Sequence, residues 1–203
     1  ASSERLADGS TLVVNGGRFS MVSGVETVAG VRLTSGSIIN GTLTSNTDFD
    51  LQAGTVSAVL AGASSSVGLR KTTAGSVTLS GANTYTGNTV VTAGTLALGA
   101  SHVLSNSSAL SVNGASAVFD LGSFSDAVSG VSIGSNGGSI TSSTGTLTGS
   151  SYTFSPGSGN TVSVTARLAG SAALTHDGVG TTTLSGANTY TGNTVVTAGT
   201  LAL

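Results

Sequence analysis

The chain has 203 residues and carries little charge: Asp, Glu, Lys and Arg make up 7%, against about a quarter in ordinary soluble domains, and the net charge is −2. This excludes a nucleic-acid binder, which needs Lys and Arg gathered on one face; here the largest basic cluster is the pair Arg70-Lys71. Cys is absent, which excludes disulfides and thiolate metal sites, and no apolar run approaches the ~20 residues of a transmembrane helix.

The opening "ASSERLADGS" has neither the basic start nor the apolar core of a secretory signal, so a mature, trimmed or excised chain is expected. Short runs rich in β-branched residues follow in chain order. They are "TLVV" at 11–14, "VRL" at 31–33, "GTLTS" at 41–45, "TVSAVLA" at 55–61, "SVTLS" at 76–80, "NTVVTA" at 88–93 and "GTLAL" at 94–98. Each is bounded by Gly, Asn, Ser or Asp, the residues that supply turns. Helix formers are scarce, so the chain reads as all-β with little or no α-helix.

Alternation gives each strand an inner and an outer face. In "TVSAVLA", Val56, Ala58 and Leu60 share one side; in "GTLAL", Leu96 and Leu98 do. Val, Leu, Ile and Ala would fill a narrow core, and Thr, Ser and Asn would meet water.

Repetition points to a solenoid. The 21 residues "TLSGANTYTGNTVVTAGTLAL" at 78–98 recur unchanged at 183–203, 105 residues on. Weaker matches precede each copy: "TLVVNGG" at 11–17 with "ALSVNGA" at 109–115, and "GTLTSNTDF" at 41–49 with "GTLTGSSYTF" at 145–154. The chain therefore reads as one β-helix of two tandem units, 10–99 and 108–203. Gly-punctuated strand clusters recur about every 20 residues, which gives about ten coils and a rod of about 50 Å at the usual strand spacing.

The segment "GSVTLSGANTYTGNTVVTAGTLALG" at 75–99 resembles the passenger-associated transport repeat of bacterial autotransporters, also called the autotransporter-associated β-strand repeat; residues 180–203 resemble it equally. The residues that carry the pattern are Leu79, Gly81, Asn83, Tyr85, Gly87, Val90, Gly94, Leu96 and Leu98. Their counterparts are Leu184, Gly186, Asn188, Tyr190, Gly192, Val195, Gly199, Leu201 and Leu203. The resemblance implies a right-handed parallel β-helix, type V secretion by a Gram-negative bacterium, and attachment to the outer membrane through a C-terminal barrel. Nothing here resembles that barrel, so a passenger fragment is expected. Adhesins are common among such passengers, which makes a host cell surface, matrix protein or glycan the expected partner. A scaffold that only assists translocation is the alternative, and a β-helix polysaccharide-degrading enzyme a more distant one. An unpaired strand at Leu203 also invites end-to-end coil contacts.

No catalytic residues, cofactor or firm metal site are expected. The acids are Glu4, Asp8, Glu26, Asp48, Asp50, Asp120, Asp126 and Asp177. Asp48 and Asp50 put two carboxylates on one strand face, a weak Ca²⁺ candidate; the bland reading is a solvated face with Phe49 inside. His176-Asp177 in "LTHDG" reads as an exposed turn, and His102 as a surface loop. Tyr85 and Tyr190 read as packing between coils, and Asn83 and Asn188 as turn residues.

Overall fold

The computed structural model describes residues 5–203, so Glu4 and the first residues of the expected single domain lie outside the described residues. The described residues contain strands and turns but no helix, and they stack as a parallel β-solenoid of about ten turns.

Two ten-residue strands open the rod, Thr11–Ser20 and Gly30–Ile39. Each passes through two faces of the coil, and the second turns at Gly36 with φ +96°. From there on the two faces are separate strands. The first face holds Phe49–Leu51, Leu69–Lys71, Thr89–Val91, Ala109–Val112, Gly130–Ile133, Tyr152–Phe154, Leu174–His176 and Thr194–Val196. The second holds Gly54–Val56, Ser76–Leu79, Gly94–Leu98, Ala117–Asp120, Gly138–Thr141, Thr161–Val164, Thr181–Leu184 and Thr200–Ala202.

Every strand pairs in parallel with the strand one coil away, which satisfies backbone groups from coil to coil. From Arg32 to its register partner Asp50 is 18 residues, and from Phe154 to His176 is 22.

The third face is discontinuous. It carries one three-stranded sheet, Val25–Val28, Thr42–Ser45 and Val59–Gly62, and a second, Asp126–Val128, Thr146–Gly149 and Arg167–Ala169. Between them two coils cross this face without a strand.

Alternation builds the core as expected. Leu33, Leu51, Val91, Val112, Ile133 and Phe154 are buried, and the residues beside them in sequence face outward. "TVSAVLA" is two strands rather than one. Gly54–Val56 ends at a corner where the amides of Ser57 and Ala58 both reach the Ile38 carbonyl, and Val59–Gly62 begins the third face. Inward parity survives the corner, since Val56, Ala58 and Leu60 are all buried.

Candidate functional site

The repeated stretch leaves the second face at Leu79, turns at Gly81, crosses the third face without a strand, and returns to the first face at Thr89. Gly81 is needed at the turn because a Cβ there would lie 2.1 Å from the Ala58 carbonyl oxygen. Gly87, at the far end of the crossing, is held as closely against Val67.

Asn83 does the work of the missing strand. Its Oδ1 accepts the Leu60 amide at 2.8 Å, and its Nδ2 donates to the Val103 carbonyl at 3.0 Å. The Asn83 amide donates to that same carbonyl at 2.9 Å. One side chain thus joins the coil before to the coil after.

Tyr85 is fully buried, with its ring 6.1 Å from that of Phe49 at 47°. Its hydroxyl bonds Thr89 Oγ1 at 2.8 Å, and Thr89 bonds Ser108 Oγ at 3.2 Å. Burial pushes the Tyr85 phenol above its ordinary value, with the Thr89 hydrogen bond opposing that shift.

The second copy repeats this geometry. Asn188 Oδ1 accepts the Leu168 amide at 2.9 Å, Tyr190 Oη bonds Thr194 Oγ1 at 2.8 Å, and its ring lies 5.9 Å from Tyr152 at 46°. Phe49 and Tyr152 therefore occupy the same place, each in register with the leucine of the next rung, Leu69 and Leu174. Leu79, Leu96, Leu98 and Leu184 are buried, and Val90 faces outward, leaving Val91 to fill the core. Gly94 and Gly199 hold φ near +65° and +63° at the same corner. Gly186 and Gly192 press on the Ala166 and Ala172 carbonyls as Gly81 and Gly87 press on their neighbours. Val195, Leu201 and Leu203 lie in the last coil, with Leu203 95% exposed.

The carboxylates do not gather. Asp50 stands between Arg32 and Arg70 in one outward column and pairs with Arg32 at 3.4 Å. Asp48 takes Arg70 Nε at 2.6 Å and the Gly68 amide at 2.8 Å. Guanidinium groups thus occupy the calcium candidate, and Phe49 is buried between the two acids as the bland reading had it. Among the described residues, no cluster of three or more His or acidic side chains is placed to hold a metal ion.

His102 is exposed, but His176 is not in an exposed turn. It is the last residue of the strand Leu174–His176 and is fully buried. Its Nδ1 bonds Thr182 Oγ1 at 3.0 Å, and its Nε2 has no partner. The matching residue one unit earlier is Lys71, also fully buried, with Nζ on the Thr73 and Ala93 carbonyls. Burial lowers the Lys71 pKa, with Asp50 opposing.

Two buried acids escaped the sequence reading. Glu26 accepts the amides of Arg5 at 2.6 Å and Leu6 at 2.9 Å. Asp126 accepts those of Val103 at 2.9 Å and Leu104 at 3.0 Å. Each opens a three-stranded sheet of the third face, in register with Leu43 and Leu147 respectively. The sequence signal was an acid two residues before an inward valine, Glu26 before Val28 and Asp126 before Val128, which puts the carboxylate on the inward side of its strand.

A family model described as Passenger-associated-transport-repeat matches residues 69–98 and 174–203. The two matches span 60 of the 203 residues, so it is these two segments that are similar to passenger-associated-transport repeats. The matches begin at Leu69 and Leu174, ahead of the expected 75 and 180, because each repeat includes the strand on which its own later strand stacks: Leu69–Lys71 under Thr89–Val91, and Leu174–His176 under Thr194–Val196. A repeat is thus two stacked rungs on two faces plus one crossing of the third. Neither a curated protein nor a solved structure matches the chain. The two repeat matches and the parallel β-solenoid are consistent with an autotransporter passenger that carries such repeats.

Proposed function

We propose that this chain is a surface-displayed structural and adhesive segment of a type V secreted passenger, built from two tandem units, 10–99 and 108–203, and without enzymatic activity. The observation that carries this reading is the use made of the repeat: Asn83, Tyr85, Asn188 and Tyr190 are all spent on joining coils. What remains for a ligand is the outward Thr, Ser and Asn of stacked strands, a polar surface with few charges beyond the column of Arg32, Asp50 and Arg70, suited to a host glycan or matrix protein. Deleting residues 10–203 from the full-length protein should abolish attachment to host cells or matrix while the remaining passenger stays displayed. Attachment that survives the deletion refutes the adhesive role.

A second reading is favoured by the direction of the same contacts. Tyr85 packs on Phe49, and the Thr84 and Tyr85 amides both bond the Leu60 carbonyl, so these contacts reach back to the preceding coil, while Asn83 reaches both ways. A passenger that folds coil upon coil at the cell exterior would bias its own export. On this reading, scrambling residues 183–203 lowers surface display; unchanged display counts against it.

A further inference from the structure

We propose that the corner cleft beside Arg167 binds the carboxylate of an acidic sugar at the tip of a surface glycan. The cleft, of about 130 Å³, opens where three successive coils turn from the second face to the third, and Ser143, Thr144, Thr165, Arg167 and Ala187 help to line it. Ala187 belongs to the last coil. Its counterpart Ala82 is exposed with further coils stacked beyond it, so the mouth of the cleft faces sideways and stays open in a longer rod.

The matching corner of the first unit is built differently. Ile38 and Ile140 hold the same place: the Ser57 and Ala58 amides reach the Ile38 carbonyl, and the Thr165 and Ala166 amides reach that of Ile140. Between Ile38 and Thr42 the chain spends three residues; between Ile140 and Thr146 it spends five. Thr42 then stands opposite Val59, and Thr146 opposite Arg167. The second unit thus has a corner two residues longer and a guanidinium beside it, on a frame that keeps its register. The ion pairs among the described residues are Arg32 with Asp50 and Arg70 with Asp48, so Arg167 carries its charge without an acid partner.

The corner is held in shape before any ligand arrives. The Ser143 amide and the hydroxyls of Ser142 and Ser143 all donate to the Gly122 carbonyl, at 2.8, 2.9 and 2.9 Å. Thr165 Oγ1 accepts the Ser142 amide at 3.1 Å, which leaves its own proton for another acceptor. A guanidinium fork matches a carboxylate through two parallel hydrogen bonds. No acid and no second cation line the cleft, so a monoanion balances it better than the double charge of a phosphate. The exposed Ser143 and Thr144 at the rim suit the ring hydroxyls of a sugar. This deepens the adhesive reading and rests on it for the source of the sugar.

The test titrates the 203-residue chain with methyl β-D-glucuronide, and with methyl β-D-glucoside as the neutral control. The glucuronide should shift the amide NMR signals of Ser143, Thr144, Gly145 and Arg167 saturably, and the glucoside should bind about tenfold more weakly or worse. Arg167→Val should abolish the shifts; the first unit carries Val at this register position, so the variant keeps the fold. Arg167→Lys should weaken binding several-fold, because the fork is lost while the charge stays. The proposal is overturned if the two sugars bind alike, if Arg167→Val still binds the glucuronide, or if inorganic phosphate shifts the same signals as strongly, which would make the cleft a simple anion site. Its failure and that of the adhesive reading are separable. No glucuronide binding by a segment whose deletion abolishes attachment sinks the site alone, whereas glucuronide binding by a segment whose deletion leaves attachment intact sinks the adhesive reading alone.

Discussion

The Asn83 side chain takes the Leu60 amide at 2.8 Å in place of a strand carbonyl, at the coil where the third face has no strand to offer. Asn83→Ala leaves that buried amide unpaired, while the Val103 carbonyl keeps the Asn83 backbone amide. The expected loss is about 1–3 kcal/mol. Asn188→Ala, in a half-buried setting with a single such bond, should cost about 1 kcal/mol or less. Urea denaturation of both variants checks the ranking; equal losses would show that Asn83 does not bridge.

Tyr85 combines a buried ring with a hydroxyl relay to Thr89 and Ser108. Tyr85→Ala should cost about 3–5 kcal/mol, as for other large aromatic truncations. Tyr85→Phe should cost only about 1 kcal/mol, because Thr89 keeps its bond to Ser108. Tyr190→Ala should fall well below Tyr85→Ala, since Tyr190 is only half-buried. Thermal melts decide this, and the prediction fails if the Phe variant is as damaged as the Ala variant.

His176 carries a buried ring nitrogen with nothing to bond. Its hydroxyl partner Thr182 stands where the first repeat has Val77. The double change His176→Leu with Thr182→Val removes both polar groups together and should stabilise the rod by about 1 kcal/mol. His176→Leu alone strands the Thr182 hydroxyl and should gain nothing. A double change that destabilises as much as the single one would contradict this account.

Burial raises the Asp126 pKa above its ordinary 3.8, although three backbone amides and His102 pull the other way. The fold therefore favours the protonated acid more than the unfolded chain does. That stabilisation is complete below 3.8 and is lost as pH rises through the higher folded value. Relative to Asp126→Asn, the wild-type chain should lose stability across the interval just above 3.8. Denaturation of both proteins from pH 3 to pH 7 gives the difference directly, and a flat difference rules the effect out.

Arg32 and Arg70 occupy the carboxylates of Asp50 and Asp48. Millimolar calcium should leave the melting temperature unchanged. Arg70→Ala should cost no more than about 1 kcal/mol, because the pair is well exposed. A calcium-dependent rise in melting temperature would restore the metal reading.

Much of the solenoid could be read from the sequence because alternation is a local property. Leu96 and Leu98 point inward on parity alone, and parity persists even where "TVSAVLA" breaks into two strands. The bridge from Leu60 through Asn83 to Val103 could not be read that way. It depends on which residues stack one coil apart, and the spacing between register partners varies from 17 residues between Leu43 and Leu60 to 24 between Ile140 and Val164. Lys71, His176, Glu26 and Asp126 were misplaced or overlooked for another reason. A polar residue is by default assigned to the surface, and these four are buried because backbone carbonyls, amides or a threonine sit within reach. Phe49 and Tyr152 correspond only once both are seen against the next coil's tyrosine.

The interrupted third face has a mechanical consequence. Among the described residues two sides of the rod are continuous hydrogen-bonded ladders, whereas the third is notched at the repeat and held there by Asn83 and by the few amides of Thr84, Tyr85 and Gly87 that reach the coil before. Lateral load will meet high stiffness in the plane of the two continuous sides. It will find compliance where the notch can open, so flexure concentrates at repeat-spaced joints. A stalk made from such units bends at set intervals and in one preferred direction, as a jointed beam does.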